Sequence, residues 1–179
     1  VLDLDNTLWG GIVGDDGVDG LAIGPEVPEG QVFAEFQSYC KALKSIGVIL
    51  AVDSKNEEAN AIAGLNHPDG VLRPDDFVAI KANWEPKDLN LKAIAAELSL
   101  GADSFVFADD NPAERAIVAA QVPGVAVPAL DHQMLVVGRQ LWVDTAGTVR
   151  GLVERQPQHR RPFLGDRPGG LHDRSRRPR

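Results

Sequence analysis

The sequence predicts an α/β fold, in which a parallel β-sheet carries helices on both faces. Short apolar segments rich in β-branched residues alternate along the chain with longer segments whose apolar residues recur at helical spacing. Strands separated by helices pair in parallel, and the crossover helices cover both faces of the sheet. Polar clusters follow three of the apolar segments, at the strand ends where such sheets bind ligands. These two observations also predict a site at the carboxyl edge of the sheet.

The predicted strands are short apolar runs. The first, "VLDLD", begins at Val1, and the second, "VILAV", has the β-branched content of a buried parallel strand. In chain order the predicted strands lie at 1–5, 48–52, 77–80, 104–108 and 124–128.

The predicted helices are defined by their apolar spacing and by their end residues. The segment 32–47 has apolar residues three or four positions apart and ends at Gly47, a residue typical of helix C-termini. Asn56 is the predicted N-cap of the second helix. Asn111 is the predicted N-cap of the last helix, with Pro112 at its first helical position. In chain order the predicted helices lie at 32–47, 56–65, 88–99 and 111–121.

The segment "LWGGIVGDDGVDGLAIG" at 8–24 is glycine-rich and sits directly after the first strand. Its short apolar pieces alternate with turn residues, which predicts a small β-hairpin flap beside the site. A plain connecting loop is the alternative. Two tryptophans, Trp9 and Trp84, flank site segments, and we expect them to pack the flap against the core.

The charge of the chain is divided between its two parts. Residues 1–131 hold 22 acidic and 8 basic residues, a net charge of −14, whereas residues 132–179 hold 4 and 10, a net charge of +6. An acidic body argues against nucleic-acid binding and suits carboxylates gathered around a metal. The apolar runs are too short to cross a bilayer. A single cysteine, Cys40, excludes an internal disulfide, so we expect a cytoplasmic protein without membrane contact.

The strand and helix pattern predicts one domain at 1–130 and a separate tail at 131–179. Because the chain begins with Val1 inside a predicted strand, we expect the domain to be truncated at its N-terminus. The end of the tail is rich in Pro, Gly and Arg, which predicts largely disordered sequence. We interpret the tail as non-native sequence, and a basic tail that binds an acidic partner is the alternative.

Two aspartates stand at the end of the first predicted strand. Asp3 and Asp5 are two positions apart, so their side chains would point to the same face. Carboxylates this close repel each other unless a cation or a shared proton relieves them. A divalent metal does so and also screens an incoming phosphate, while one carboxylate attacks phosphorus and the other protonates the leaving oxygen. A pair of solvated strand-end aspartates is the simpler alternative.

Five further polar residues follow strand ends or precede helices, in an order that fits phosphoryl transfer. Thr7 offers a hydroxyl in the first turn, and Ser54 can hold a phosphate oxygen beside a helix N-terminus. Lys87 can neutralise a transferring phosphoryl group. Asp109 and Asp110 can complete a metal shell. Singly these are an ordinary turn serine, an exposed lysine and helix-capping aspartates, but together they predict one phosphoryl-transfer site.

This order of motifs resembles the haloacid dehalogenase (HAD) superfamily of phosphotransferases. It runs DxDxT, a serine after the second strand, a lysine and a DD pair. The segments "LDLDNTLWGGIVGDDGVDG", "SKNEEA", "ANWEPK" and "SFVFADDNPAER" are similar to the FkbH-like branch of that superfamily. The resemblance covers residues 1–130 and implies a Rossmann-like core with Mg²⁺ as cofactor.

The resemblance also implies a role for each matching residue. Asp3 would be the nucleophile and Asp5 the general acid/base, with the main-chain carbonyl of Asp5 also facing the metal. Asp110 would be a metal ligand or a residue behind one. The phosphate-binding residues would be Thr7, Ser54 and Lys87, and the metal ligands would be Asp3, Asp5, Asp109 and Asp110.

The FkbH-like branch is associated with 1,3-bisphosphoglycerate, from which a glyceryl unit is loaded onto an acyl carrier protein in polyketide-type biosynthesis. The resemblance therefore implies a small phosphorylated substrate and a carrier-protein partner. One position departs from the branch, because relatives often have cysteine where this chain has Asp53. If that cysteine holds the acyl group in transit, this chain lacks the holder, and Asp53 adds a negative charge near the phosphate site.

Three alternatives to the FkbH-type function stay open at this stage. A general small-molecule phosphatase shares the core residues, and Asp53 favours it. An inactive fragment, or a module that binds a carrier protein, is suggested by the abrupt start and the tail. A phosphorylation receiver domain also uses paired aspartates, a hydroxyl and a lysine, but nothing in it corresponds to "SKN" or "DDNP".

Overall fold

The computed structural model describes residues 1–26 and 28–130, and it has the predicted mixed α/β architecture. The strands are β1 (Leu50–Ser54) and β2 (Phe77–Ala82). The helices are α1 (Val13–Asp16), α2 (Pro28–Ser45), α3 (Glu58–Leu65), α4 (Lys87–Leu98) and α5 (Pro112–Gln121). Short 3-10 turns lie at Val18–Gly20, Pro74–Asp76 and Ala102–Ser104. The predicted tail at 131–179 lies outside the described residues.

The strands β1 and β2 form a parallel pair, which isolated bridges extend into a wider parallel sheet. Leu2 bridges Val52 on one side and Ala108 on the other, and Val106 bridges Ala126, all in parallel. The order across the sheet is β2, β1, segment 1–5, segment 105–108 and the segment around Ala126. Segment 1–5, which carries the paired aspartates, therefore lies at the centre of the sheet.

Segment 1–5 is shorter as a strand than the sequence predicts. Its backbone pairs through Leu2 and Asp3, whose N–H groups donate to Ala51 and Ala108 at 2.9 Å. The carbonyl of Leu4 then accepts hydrogen bonds from two later N–H groups of the same turn. Asn6 has a positive φ of 56°, a conformation that asparagine tolerates better than most residues. The chain leaves the sheet immediately after the first aspartate.

Two hydrophobic clusters cover the two faces of the sheet, as predicted. Adjacent residues of a strand point to opposite faces, and Val52 belongs to one cluster while Ala51 belongs to the other. The first cluster contains residues of α2 and α3, such as Cys40 and Leu65. The second contains α4 and α5 residues, such as Ile94. Helices therefore lie on both faces of the sheet.

The ends of the helices differ in part from the predictions. The helix α2 begins at Pro28 rather than at residue 32, because proline is well suited to the first helical turn. Asn111 caps α5 as predicted, accepting a hydrogen bond from the Ala113 N–H at 2.9 Å. The N-cap of α3 is Glu57, so the Asn56 prediction is wrong. Within the described residues, no helix combines the length and the apolar character needed to cross a membrane.

The flap, residues 8–24, is not the predicted β-hairpin. Gly10 and Ala22 form one antiparallel bridge at its base, and helical turns fill the segment between them. The Asp16 carboxylate accepts a hydrogen bond from the Ile12 N–H at 2.7 Å. Short acidic side chains that bond to nearby backbone favour such turns over a strand ladder. The flap is therefore a helical loop closed by a single bridge.

Gly64→Ala is expected to destabilise the protein. A Cβ at this position of α3 would lie 2.7 Å from the Trp9 ring, which is fully buried. Overpacking of this kind outweighs the better helix propensity of alanine, so we expect a net loss of about 1–2 kcal/mol in the free energy of unfolding. Urea denaturation measures it. Ala59→Ser adds one heavy atom at an exposed position of the same helix and should change stability by less than about 0.5 kcal/mol; equal losses in both variants would contradict the expectation.

Candidate active site

Three carboxylates meet at the carboxyl edge of the sheet, where the sequence predicts the site. One oxygen from each of Asp3, Asp109 and Asp110 lies within 4.8 Å of the other two. Asp3 and Asp109 are buried, while Asp110 is exposed. Segment 1–5 and segment 105–108 are neighbours in the sheet, so their carboxyl ends bring these residues together. The structure therefore brings together three of the four carboxylates that the sequence predicts as metal ligands.

The ammonium of Lys87 lies between two of these carboxylates. It donates to Asp3 Oδ1 at 2.7 Å and to Asp109 Oδ2, and its side chain is 4% exposed. Burial lowers the pKa of Lys87, but Asp3 and Asp109 outweigh it and leave that pKa above its usual value. The lysine is therefore a fixed positive charge inside the site and not the exposed surface residue of the simpler interpretation.

The three carboxylates still carry more negative charge than Lys87 offsets. Burial raises the pKa of Asp3 and, joined by repulsion from Asp3, that of Asp109. Burial and the neighbouring Asp109 likewise raise the pKa of Asp110. Three carboxylate oxygens around a common point form a hard-oxygen donor set of the kind that Mg²⁺ prefers. These residues fit a divalent cation.

Asp5 lies near this cluster, but its carboxylate faces the flap. Its Oδ1 accepts hydrogen bonds from Trp9 Nε1 at 2.8 Å and from the Val13 N–H at 3.1 Å. Its Oδ2 accepts from Asn56 Nδ2 at 2.8 Å. The side chain of Asp5 is not part of the three-carboxylate cluster, and a metal contact through its main-chain carbonyl stays a prediction.

Thr7 and Ser54 both contact Asp3. The Thr7 hydroxyl donates to Asp3 Oδ2 at 3.3 Å and accepts from the Asp110 N–H at 3.1 Å. The Ser54 side chain hydrogen-bonds to Asp3 and helps to lower its pKa against the effect of burial. Both residues are buried. Through these two hydrogen bonds Thr7 links Asp3 to the 109–111 turn, and its predicted contact with phosphate stays a prediction.

Arg115 fixes the turn that carries Asp109 and Asp110. Its Nη1 donates to the carbonyl of Asp109 at 2.7 Å and to that of Asp110 at 2.6 Å. The Asn111 N–H donates to Asp109 Oδ1 at 2.8 Å. The remaining oxygen of that carboxylate is the one that meets Lys87. Both oxygens of Asp109 are therefore held in place.

The two tryptophans differ. Trp9 is buried as expected, and its indole also reaches Asp5. Trp84 is 68% exposed and donates to Glu57 at 2.8 Å, so the prediction that it packs against the core is wrong. It follows β2 in a loop whose residues 84–86 are exposed, and its indole N–H donates to Glu57 at the surface.

Asp53, the position that departs from the FkbH-like pattern, is completely buried at the end of β1. Its Oδ1 accepts from Asn90 Nδ2 at 3.0 Å, and its Oδ2 has no hydrogen-bond partner. Burial raises the pKa of Asp53 to about 7, against the smaller opposing effects of Asn90 and Lys87. A large fraction of the Asp53 side chains is therefore uncharged near neutral pH. The electrostatic repulsion between Asp53 and a bound phosphate is then weaker than the sequence predicts.

Asp53→Asn is expected to change how stability depends on pH. The pKa of Asp53 is about 7 in the folded state and near 3.8 in the unfolded state, so the folded state holds more protons between these values. The contribution of Asp53 to the free energy of unfolding is fully present below about pH 4, and it is lost as the pH rises to about 7. The variant lacks that loss, so its stability relative to the parent should rise over the interval, by about 4 kcal/mol at most.

Urea denaturation of both proteins at several pH values from 4 to 8 measures how the difference in their free energies of unfolding changes with pH. A difference in stability that is the same at every pH does not affect this measurement. The exposed Asp19→Asn is the control and should follow the parent. Parallel curves for Asp53→Asn and the parent would show that Asp53 keeps an ordinary pKa.

Comparison with solved structures shows that the chain is similar to a phosphatase domain. The solved structure of the N-terminal part of the protein BF1531 from Bacteroides fragilis contains a phosphatase domain and is complexed with Mg. It is 49% identical to this chain, covers 73% of it and superposes with a TM-score of 0.71. The chain spans 35% of the length of that solved chain. No family model and no curated protein matches the chain.

The fold of this chain thus matches that of a phosphatase domain. The Mg²⁺ prediction is confirmed to the extent that this neighbour is a magnesium complex and the acidic cluster here is compatible with the ion. The sequence missed several residues that hold the site together, namely Asn56, Asn90 and Arg115. The helix-cap interpretation of Asn56 leaves out its hydrogen bond to Asp5. Asn90 lies three residues after Lys87, a spacing that could have identified it, whereas Arg115 lies five residues after Asp110 and no helical spacing marks it.

Proposed function

We propose that this chain is a Mg²⁺-dependent phosphatase domain of HAD type that acts on a small phosphorylated substrate. The observation that carries the proposal is the buried Lys87 between Asp3 and Asp109, with Asp110 beside them. A phosphoryl group needs cations around it while a carboxylate nucleophile attacks, and this arrangement offers both. The likeness to a phosphatase domain with Mg supports it.

In the first step, an oxygen of Asp3 attacks phosphorus and forms an acyl phosphate while the bond to the leaving oxygen breaks. Asp5 supplies the proton that the leaving oxygen takes up. In the second step Asp5 removes a proton from water, the water oxygen attacks phosphorus, and phosphate leaves with Asp3 restored. Bound Mg²⁺ would be held by Asp3, Asp109, Asp110 and the Asp5 carbonyl, and it would offset charge on the phosphoryl oxygens.

The remaining residues of the site would bind and orient. Lys87 offsets the charge of the phosphoryl group and holds Asp3 in place. Ser54, whose side chain hydrogen-bonds to Asp3, would donate its single hydroxyl proton to a phosphoryl oxygen instead when substrate binds. Thr7 keeps Asp3 and the 109–111 turn in register. The flap reaches Asp5 through Trp9 and Val13, so closing it over a substrate would orient the acid/base group.

The sequence resemblance offers a finer candidate, an FkbH-type function, with 1,3-bisphosphoglycerate as the substrate and an acyl carrier protein as the glyceryl acceptor. The sequence resemblance over 1–130 supports it, and Asp53 in place of cysteine counts against the acyl-transfer step. A general phosphatase needs no thiol at that position. We therefore propose phosphate release as the activity of this chain and glyceryl loading as the step that Asp53 would block.

The test incubates the full chain with a panel of small phosphate esters and with bisphosphoglycerate, with Mg²⁺ or with EDTA, and measures phosphate release. Magnesium-dependent release supports the phosphatase, and release that is equal in EDTA contradicts it. Adding a carrier protein and weighing it by mass spectrometry tests glyceryl loading. We expect no glyceryl increment with the parent chain, and an increment would show that loading needs no cysteine here.

A further inference from the structure

A polar network centred on the buried Asn90 lies one helical turn from Lys87 along α4. The reaction steps proposed above do not involve it. Asn90 Nδ2 donates both to Asp53 Oδ1 at 3.0 Å and to Asn83 Oδ1 at 2.9 Å. Asn83 Nδ2 donates back to Asn90 Oδ1 at 3.3 Å, and the Asn83 N–H donates to the Ser54 carbonyl at 3.1 Å. The network joins the end of β1 to the loop after β2 and to α4.

The network acts on the helical turn that carries Lys87. Asn90 is three residues after Lys87 on α4, which puts the two side chains on neighbouring positions of one helix face. The N-cap of α4 is Pro86, and no side chain caps this end of the helix. Besides the ion pairs of Lys87 itself, Asn90 and its partners therefore link the first turn of α4 to the sheet.

Asp53 is the fixed end of this network. It is completely buried in β1, and its N–H donates to the Leu2 carbonyl at 3.0 Å, next to Asp3. The strand that supports Asp3 and the helix that supplies Lys87 are thus linked through Asp53 and Asn90. A buried carboxyl with one oxygen lacking a partner is costly to keep, so a stable core by itself does not favour it.

We propose that Asp53 is a positioning residue, which through Asn90 holds the first turn of α4 and so sets where the Lys87 ammonium lies between Asp3 and Asp109. The inference rests on the proposed phosphatase function for its kinetic consequence, but not for its structural one. Misplacement of a charged group by about 1 Å can lower catalysis by about a hundredfold, so a device that fixes Lys87 has a large effect on rate.

The test compares four variants of the full chain. Asp53→Ala and Asn90→Ala each remove the link, and Asp53→Asn keeps an acceptor oxygen for Asn90. Lys92→Ala, at an exposed position of α4 paired with Asp88, is the matched control. Each protein is assayed for kcat and KM with Mg²⁺, and the ¹⁵N resonance of the Lys87 ammonium is recorded in lysine-labelled protein.

We expect Asp53→Ala and Asn90→Ala to lower kcat by about 10- to 100-fold and to shift the Lys87 resonance. Asp53→Asn should stay within about threefold of the parent, and Lys92→Ala should match it. If both alanine variants melt at lower temperature but keep the parent kcat and the parent Lys87 resonance, the network is only structural and the proposal is wrong. If the parent has no phosphatase activity, the proposed function fails, and the Lys87 resonance alone still decides the positioning role.

Discussion

Asp3→Asn is expected to release phosphate at least a thousandfold more slowly than the parent chain. An amide is a poor nucleophile and forms no acyl phosphate, so the variant loses the covalent route and not just one contact. The carboxylate lies against Lys87 and Ser54, which hold it in one orientation, and asparagine has nearly the same shape. The measurement is kcat for phosphate release at saturating Mg²⁺.

The matched control for this variant is Asp19→Asn, the same change at an exposed flap position. It should leave kcat within about twofold of the parent. A thermal melt of each protein separates lost chemistry from lost folding, since only a folded Asp3→Asn protein tests the nucleophile. A folded variant that keeps a tenth of the parent rate would assign the nucleophile to another group.

Lys87→Met is expected to lower the free energy of unfolding by about 3–5 kcal/mol and to abolish phosphate release. Methionine fills a similar volume but leaves Asp3 and Asp109 facing each other without the cation between them. Breaking a buried ion pair on one side costs more than the pair itself contributes, because the remaining charges stay desolvated. This loss is a large fraction of the stability of an ordinary domain.

Urea denaturation without Mg²⁺ measures this loss, and Lys92→Met on the same helix is its control. Lys92 is exposed and pairs only with Asp88, so its replacement should cost less than about 1 kcal/mol. A second variant, Lys87→Met with Asp109→Asn, removes one of the two facing carboxylates and should recover part of the loss. Equal midpoints for the parent and Lys87→Met would mean that the ion pair contributes nothing to stability.

The fold followed from local patterns that the sequence contains. Apolar period and cap residues located α5 with its Asn111 cap. The apolar run at 48–52 located β1 to within two residues, since the strand spans Leu50–Ser54. The flap was mispredicted because its glycines and aspartates are compatible with either a hairpin or helical turns. Which of these forms depends on contacts such as Asp16 to the Ile12 N–H, and turn residues alone do not specify them.

The candidate site followed from the order of a few chemistry-bearing residues along a parallel sheet. Asp3 and Asp109 meet because their segments are neighbours, and that adjacency is a general property of such sheets. The different directions of the Asp3 and Asp5 carboxylates did not follow, because the chain leaves the sheet between them. The pKa of Asp53 depends on its complete burial and on Asn90, and neither can be obtained from the spacing of the sequence.

The contacts that assemble the site join parts of the chain that are far apart. Lys87 and Asp3 are separated by 84 positions, and Asp110 and Thr7 by 103. Contacts of this kind form late in folding, since each must close a long loop. During synthesis the carboxylate cluster therefore stays incomplete until Asp110 has left the ribosome. A shortened chain that ends before this residue would be an incompletely folded protein without catalytic activity. Such a chain would be bound by chaperones or degraded by proteases before it could act on a substrate.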